Sequence, residues 1–112
     1  MQGKEKVYVQ MPRGLNVWVS EEALRQYRDD RRRVTNSMVV EEAIRRYLDD
    51  CPENEMDDME KSPRSDDMVM RGYYITQDTM MRVRERKVAE ERMGRRSSIR
   101  SIIGAALRYV SR

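Results

Sequence analysis

Two stretches of the chain switch hydrophobic period partway along. In GLNVWVSEEALRQY, residues 14–27, Leu15, Val17 and Val19 alternate with Asn16 and Trp18, and from Ser20 onward the apolar positions fall at helical spacing. VMRGYYITQDTMMRV, residues 69–83, makes the same switch about 56 residues later, with Tyr73 and Ile75 alternating with Gly72 and Tyr74 before Thr76. Alternation marks a strand with one buried face, and a serine or threonine at the switch is a helix N-cap. The pattern predicts strands over 15–19 and 71–75, each running directly into a helix.

A second helix follows each of these. Glu21 and Glu22 sit in the first turn after Ser20, where the helix dipole favours them, and Leu24, Tyr27 and Val34 mark one face. Thr35, Asn36 and Ser37 then break the helix and cap the next, SMVVEEAIRRYL, in which Val40, Ala43, Ile44, Tyr47 and Leu48 keep helical spacing. In the other half Met80, Val83 and Val88 are spread among arginines, and Gly94 suits a C-cap. Ser97 or Ser98 opens a last helix striped by Ile99, Ile102, Ile103, Ala106, Leu107 and Val110. Near the amino terminus KVYVQM also alternates, with Val7, Val9 and Met11 on one side. It reads either as an extra strand turned back onto 15–19 by Pro12, Arg13 and Gly14, or as a loose basic arm.

The chain divides into that arm or strand (1–13), a first strand-helix-helix unit (14–49), a linker (50–68) and a second unit (69–112). The linker is acidic and holds two prolines: residues 49–68 carry a net −7, against +3 for 1–48 and +7 for 69–112. Outside the linker the balance favours a polyanionic partner. RRR at 31–33 and RERK at 84–87 read equally as solvated helix faces or as phosphate contacts.

At 112 residues there is enough chain for one modest core. A five-residue strand cannot satisfy its own backbone, so the two strands are expected to pair. The predicted fold is mainly α with a short two-stranded antiparallel β-ribbon over four helices, both halves supplied by one chain. Ten methionines read as adaptable core filler, and the single cysteine, Cys51, has no internal partner. No apolar run reaches membrane-spanning length, so a soluble, cytoplasmic protein with no membrane partner is expected. With no histidine, and its paired aspartates in or beside the linker, the chain is expected to be no enzyme. No catalytic residue, metal or cofactor is expected either, since MDDME at 56–60 has no fixed geometry.

The order strand, capped helix, turn, helix, with SMVVEEAIRRYL as its most typical stretch, resembles the ribbon-helix-helix superfamily of the MetJ and Arc repressors over about 14–49 and 69–111. Two units in one chain are similar to the tandem organisation of the conjugative-plasmid TraY family. The resemblance implies an intramolecular pseudo-dimer of two ribbon-helix-helix units that inserts its ribbon in the major groove of double-stranded DNA. Carried over by position, it makes Gly14, Asn16, Trp18, Gly72 and Tyr74 the base-contacting face, the Asn16 amide being suited to adenine. Arg71 joins them only if the strand bulges at Gly72, and Arg13 only from the strand's start. Phosphate is expected at the second helices, on Asn36 and Ser37 in one unit and Arg95, Arg96, Ser97 and Ser98 in the other.

The role implied is transcriptional regulation by a repressor. Alternatives are a relaxosome or plasmid-partition accessory protein acting beside a relaxase, or an antitoxin binding a partner toxin. Further copies of the chain could bind side by side on DNA. Because the two strands differ, a short asymmetric site is expected rather than a palindrome. The linker of roughly 19 residues averages about 25 Å as coil, sufficient to let both units meet.

Overall fold

The computed structural model describes residues 3–30, 33–50 and 68–111. The elements run β1 (Lys4–Pro12), α1 (Arg13–Asp30), α2 (Asn36–Asp50), β2 (Met68–Thr76), α3 (Gln77–Arg92) and α4 (Ile99–Val110). The linker proper at 51–67, with Cys51 and MDDME, and Arg31 and Arg32 lie outside the described residues. No helix among the described residues is long and apolar enough to cross a membrane.

The first strand is not where the alternation at 15–19 puts it. Residues 13–30 are one helix, and the strand is the KVYVQM stretch that precedes it. The physical reason is a longer period than five residues can display. Leu15, Asn16, Trp18, Val19, Glu22, Ala23 and Gln26 are the half-buried and buried positions of α1, and all but Asn16 form a helical series that contains Leu15 and Val19. Ser20 is therefore an interior helical residue and not a cap. Leu24 and Tyr27 lie on the outer side, 50% and 54% exposed, and Val88 of α3 is likewise exposed. Pro12, Arg13 and Gly14 do not turn a hairpin. Proline ends the strand, where its missing N–H costs least, and the helix starts at once.

β1 pairs with β2 antiparallel and without a bulge, from Lys4 opposite Thr76, through Tyr8 opposite Gly72, to Pro12 opposite Met68. Val7, Val9 and Met11 of β1 and Tyr73 and Ile75 of β2 face the core. α2 and α4 pack on each other, α2 also lies on β2, and α4 on β1. Each second helix thus covers the other half's strand, so the two halves share one core. That core is Val19, Val40, Ile44, Met80, Val83, Ile103, Ala106 and Leu107 beneath the strand residues. The second-helix predictions hold: Val40, Ala43, Ile44 and Tyr47, and Ile102, Ile103, Ala106 and Leu107, are all buried.

The helix ends follow local chemistry. Ser98 caps α4 through a reciprocal pair with Ser101, and Thr35 caps α2 by accepting from the Met38 N–H at 3.2 Å. Gly94 follows α3 at φ 83°, a left-handed conformation that disfavours side chains. Thr76 occupies the N-cap position of α3, but its side chain does not cap it. The Glu41 carboxylate of α2 anchors this strand-to-helix junction instead. It accepts from the Thr76 N–H at 3.0 Å, the Thr76 hydroxyl at 2.7 Å and the Thr79 hydroxyl at 3.0 Å, with Arg45 beside it. Burial pushes the Glu41 carboxyl upward, but those donors and Arg45 outweigh it and hold the group below the usual carboxylate range.

Candidate nucleic-acid interface

The face of the ribbon turned away from the helices is uncovered. Strand alternation places Lys4, Lys6, Tyr8 and Gln10 of β1 there, with Met70, Gly72 and Tyr74 of β2, and all are exposed. Pairing sets Tyr8 against Gly72, Lys6 against Tyr74 and Gln10 against Met70. Gly72 lacks a side chain where one would collide: a Cβ there would stand 2.8 Å from Lys6 Cε and 3.2 Å from Tyr8 Cε1. The Tyr8 ring and the Lys6 stem occupy that space instead. The Lys6 ammonium lies 5.2 Å from the centroid of Tyr8 and 5.5 Å from that of Tyr74, a cation held between two aromatic rings. The hydrogen bond with Tyr8, aided by the nearby Tyr74, raises its pKa above the ordinary lysine value, so it stays charged.

Of the residues expected on this face, Gly72 and Tyr74 are there. Gly14, Asn16, Trp18 and Arg13 are not, because they belong to α1. Arg13 and Gly14 are exposed in its first turn, next to the ribbon's end, and Trp18 is half-buried against the core. Arg71 stands opposite Val9 in an unbulged register, so it shares the parity of the inner face. It runs out sideways and donates from Nε to Asn16 Oδ1 at 3.2 Å. Lys4, Lys6, Tyr8 and Gln10 are absent from the expected site, although the alternation of KVYVQM assigns them one common face.

Beside the ribbon, Arg71 and Asn16 help line an open cleft of about 390 Å³ with Ser20, Asn36, Ser37, Gly72 and Tyr73. The floor of the cleft is the amino-terminal turn of α2. Ser37 Oγ accepts from the Tyr74 N–H at 3.0 Å, and Asn36 donates to Ser20 Oγ at 3.3 Å. Asn36 and Ser37, expected at a phosphate, therefore stand against the ribbon together with a guanidinium. In the other half Arg95 and Ser97 are half-buried while Arg96 and Ser98 are exposed, all just ahead of α4. Within RERK the residues divide. Arg84 pairs with Glu5 and Lys87 with Glu91, and Arg86 is buried against Glu90, which leaves it no route to a phosphate. No known protein family, curated protein or solved structure matches the chain.

Proposed function

We propose that the protein binds double-stranded DNA by laying the β1–β2 ribbon in the major groove, as a tandem ribbon-helix-helix pseudo-dimer within one chain. The observation that carries this reading is the ribbon's outer face. It is an unpartnered two-stranded surface whose side chains are two lysines, two tyrosines, a glutamine and a methionine around a glycine. A two-stranded ribbon fits the width of the groove, and that chemistry suits it. The Gln10 amide can pair bidentately with adenine, Lys6 can donate to guanine, and Tyr8 and Tyr74 can rest on thymine methyls or sugars.

The internal equivalence supports the pseudo-dimer. Lys4 and Met68, which open the two strands, are 64 residues apart, as are Arg13 and Gln77, which open the first helices. The central strand pair, Tyr8 opposite Gly72, then lies on an approximate two-fold axis. Across it Lys6 corresponds to Met70 and Gln10 to Tyr74, so the two half-sites are read by different chemistry and the preferred sequence is asymmetric. The cleft at α2 and the basic turn before α4 would grip the backbone on either side, through helix amino termini and arginines. Occupying the groove in this way makes the protein a transcriptional repressor.

Selection from random duplexes tests the reading. Wild type is expected to enrich one short asymmetric sequence. Gln10→Ala and Lys6→Ala should each cost about 1–3 kcal/mol and relax preference at one position, adenine for the first and guanine for the second. Enrichment of no sequence, or enrichment untouched by both substitutions, overturns it.

A further inference from the structure

Gly72 stands in the middle of β2, and nothing in its backbone asks for a glycine. Among the described glycines only Gly94 has a positive φ. Inside a strand, glycine loses more conformational freedom on folding than any other residue and offers no side chain to pack, so it weakens the element unless the space is used. The two occupants of that space come from the facing strand. Lys6 Cε reaches to 2.8 Å and Tyr8 Cε1 to 3.2 Å of the point where a Cβ would stand. Tyr8 is the residue opposite Gly72, but Lys6 is opposite Tyr74, the next pair along the outer face. The Lys6 stem therefore leans along the ribbon, towards the central pair.

That lean changes what the lysine can do. On an open strand a lysine samples many rotamers, and it loses that freedom when it binds. The ammonium of Lys6 is instead flanked by the Tyr8 and Tyr74 rings, 5.2 and 5.5 Å from their centroids. Ordering ahead of binding turns a mobile charge into a discriminating donor. The other end of the ribbon has no such cluster. There Met70, the internal counterpart of Lys6, faces Gln10, and Met68 faces Pro12, so the outer face carries no cation.

We propose that Gly72 is a specificity-determining residue: the space it leaves lets Lys6 lean to the middle of the ribbon, where it demands a guanine near the centre of the bound site. Lys6 makes the contact by donating from its ammonium to guanine O6 or N7, and Gly72, Tyr8 and Tyr74 position it. This rests on the groove reading above and adds which residue decides, and where. Because the opposite half offers an amide and two methionines, the same guanine also fixes the direction in which the protein lies on its site.

Selection from random duplexes with Gly72→Ala, beside wild type and Lys6→Ala, tests this. The atoms that an alanine methyl would meet belong to side chains that can swing aside, so the variant should fold and melt no lower than wild type. Wild type should prefer guanine at one central position on the order of tenfold. Gly72→Ala should reduce that to about twofold, as Lys6→Ala does, although its lysine is intact. The adenine preference assigned to Gln10 should be unchanged. Without DNA, proton NMR should show the Lys6 methylenes of wild type shifted upfield by the tyrosine rings, and those of Gly72→Ala returned to ordinary positions.

A guanine preference retained by Gly72→Ala overturns the proposal, as do Lys6 methylenes at ordinary positions in wild type. Equal loss for every sequence also overturns it, since Gly72 would then serve the close approach of DNA itself. Each of these leaves the groove reading standing, whereas a wild type that enriches no sequence overturns both.

Discussion

The two flanks of the helical core are built differently. On the α3 side, Arg86 and Glu90 are buried as an ion pair at 3.1 Å, and the guanidinium stacks on Tyr47 at 5.3 Å. At the matching positions of α1 stand Glu22 and Gln26, and there the surface opens into a groove of about 290 Å³ lined also by Trp18, Ala43 and Val110. A second contrast lies where strand meets helix. Glu41, six residues past the Thr35 cap, anchors the start of α3. Gly104, six past the Ser98 cap, has open space where a side chain would begin, and the strand end matching Thr76 is Pro12, which has no N–H to offer. Two halves of one pattern can thus share a core while only one is locked by buried charge. A first half paired with another first half would take from Glu41 its donors at Thr76 and Thr79 and leave it Arg45 alone, so the contrast favours unlike pairing.

The largest effect should come from breaking the locked flank. Arg86→Ala leaves Glu90 buried and unpaired and should cost about 3–5 kcal/mol in denaturant unfolding. Replacing both partners with apolar residues should recover most of that loss. Glu22→Ala on the open flank should cost no more than about 1 kcal/mol, because its partner Arg25 stays in water.

Next in size is Glu41→Ala, which strands the Thr76 N–H and two hydroxyls and should cost about 1–3 kcal/mol. Its pH dependence has a definite sign. The folded carboxyl ionises more readily than the unfolded one, so its contribution is fully present above the unfolded value of 4.5 and is lost as pH falls through the lower folded value. Melting curves of wild type and Glu41→Gln should therefore differ at neutral pH and draw together in acid. A gap that persists at low pH would remove ionisation as its cause.

The smallest effect should have the opposite sign. Gly104 is inside α4 with nothing within 4 Å of the point where a Cβ would stand, so Gly104→Ala should stabilise the chain by roughly 0.5–1 kcal/mol. A loss of stability there would mean that the space is used.

β2, α2, α4, the Ser98 cap and the Gly94 turn are legible in the pattern because each is specified within its own segment. Tyr73 and Ile75 alternate, the second helices carry full stripes, and the glycine adopts a conformation that few other residues tolerate. α1 is not legible in the same way because Leu15 and Val19 satisfy two periods at once. Residues four apart share a helix face, and residues two apart share a strand face. Only extension to Glu22, Ala23 and Gln26 separates the two, and those positions mix polar with apolar side chains. The first-strand half of the expected reading face falls with that strand, and Asn16 supports Arg71 instead of facing outward from the ribbon.

Local patterning alone settled that this chain forms short alternating segments, amphipathic helices and their caps, because propensity and period act over a few residues. Which alternating segment became a strand was settled by pairing. A ribbon requires a second edge, and KVYVQM with its flanking residues matches β2 over nine residue pairs while the residues after Pro12 have a helical face to bury. The partners of Glu41, Arg71 and Arg86 belong to the same class. Two of those contacts, Glu41 with Thr76 and Arg71 with Asn16, span 35 and 55 residues, a separation that no local pattern encodes.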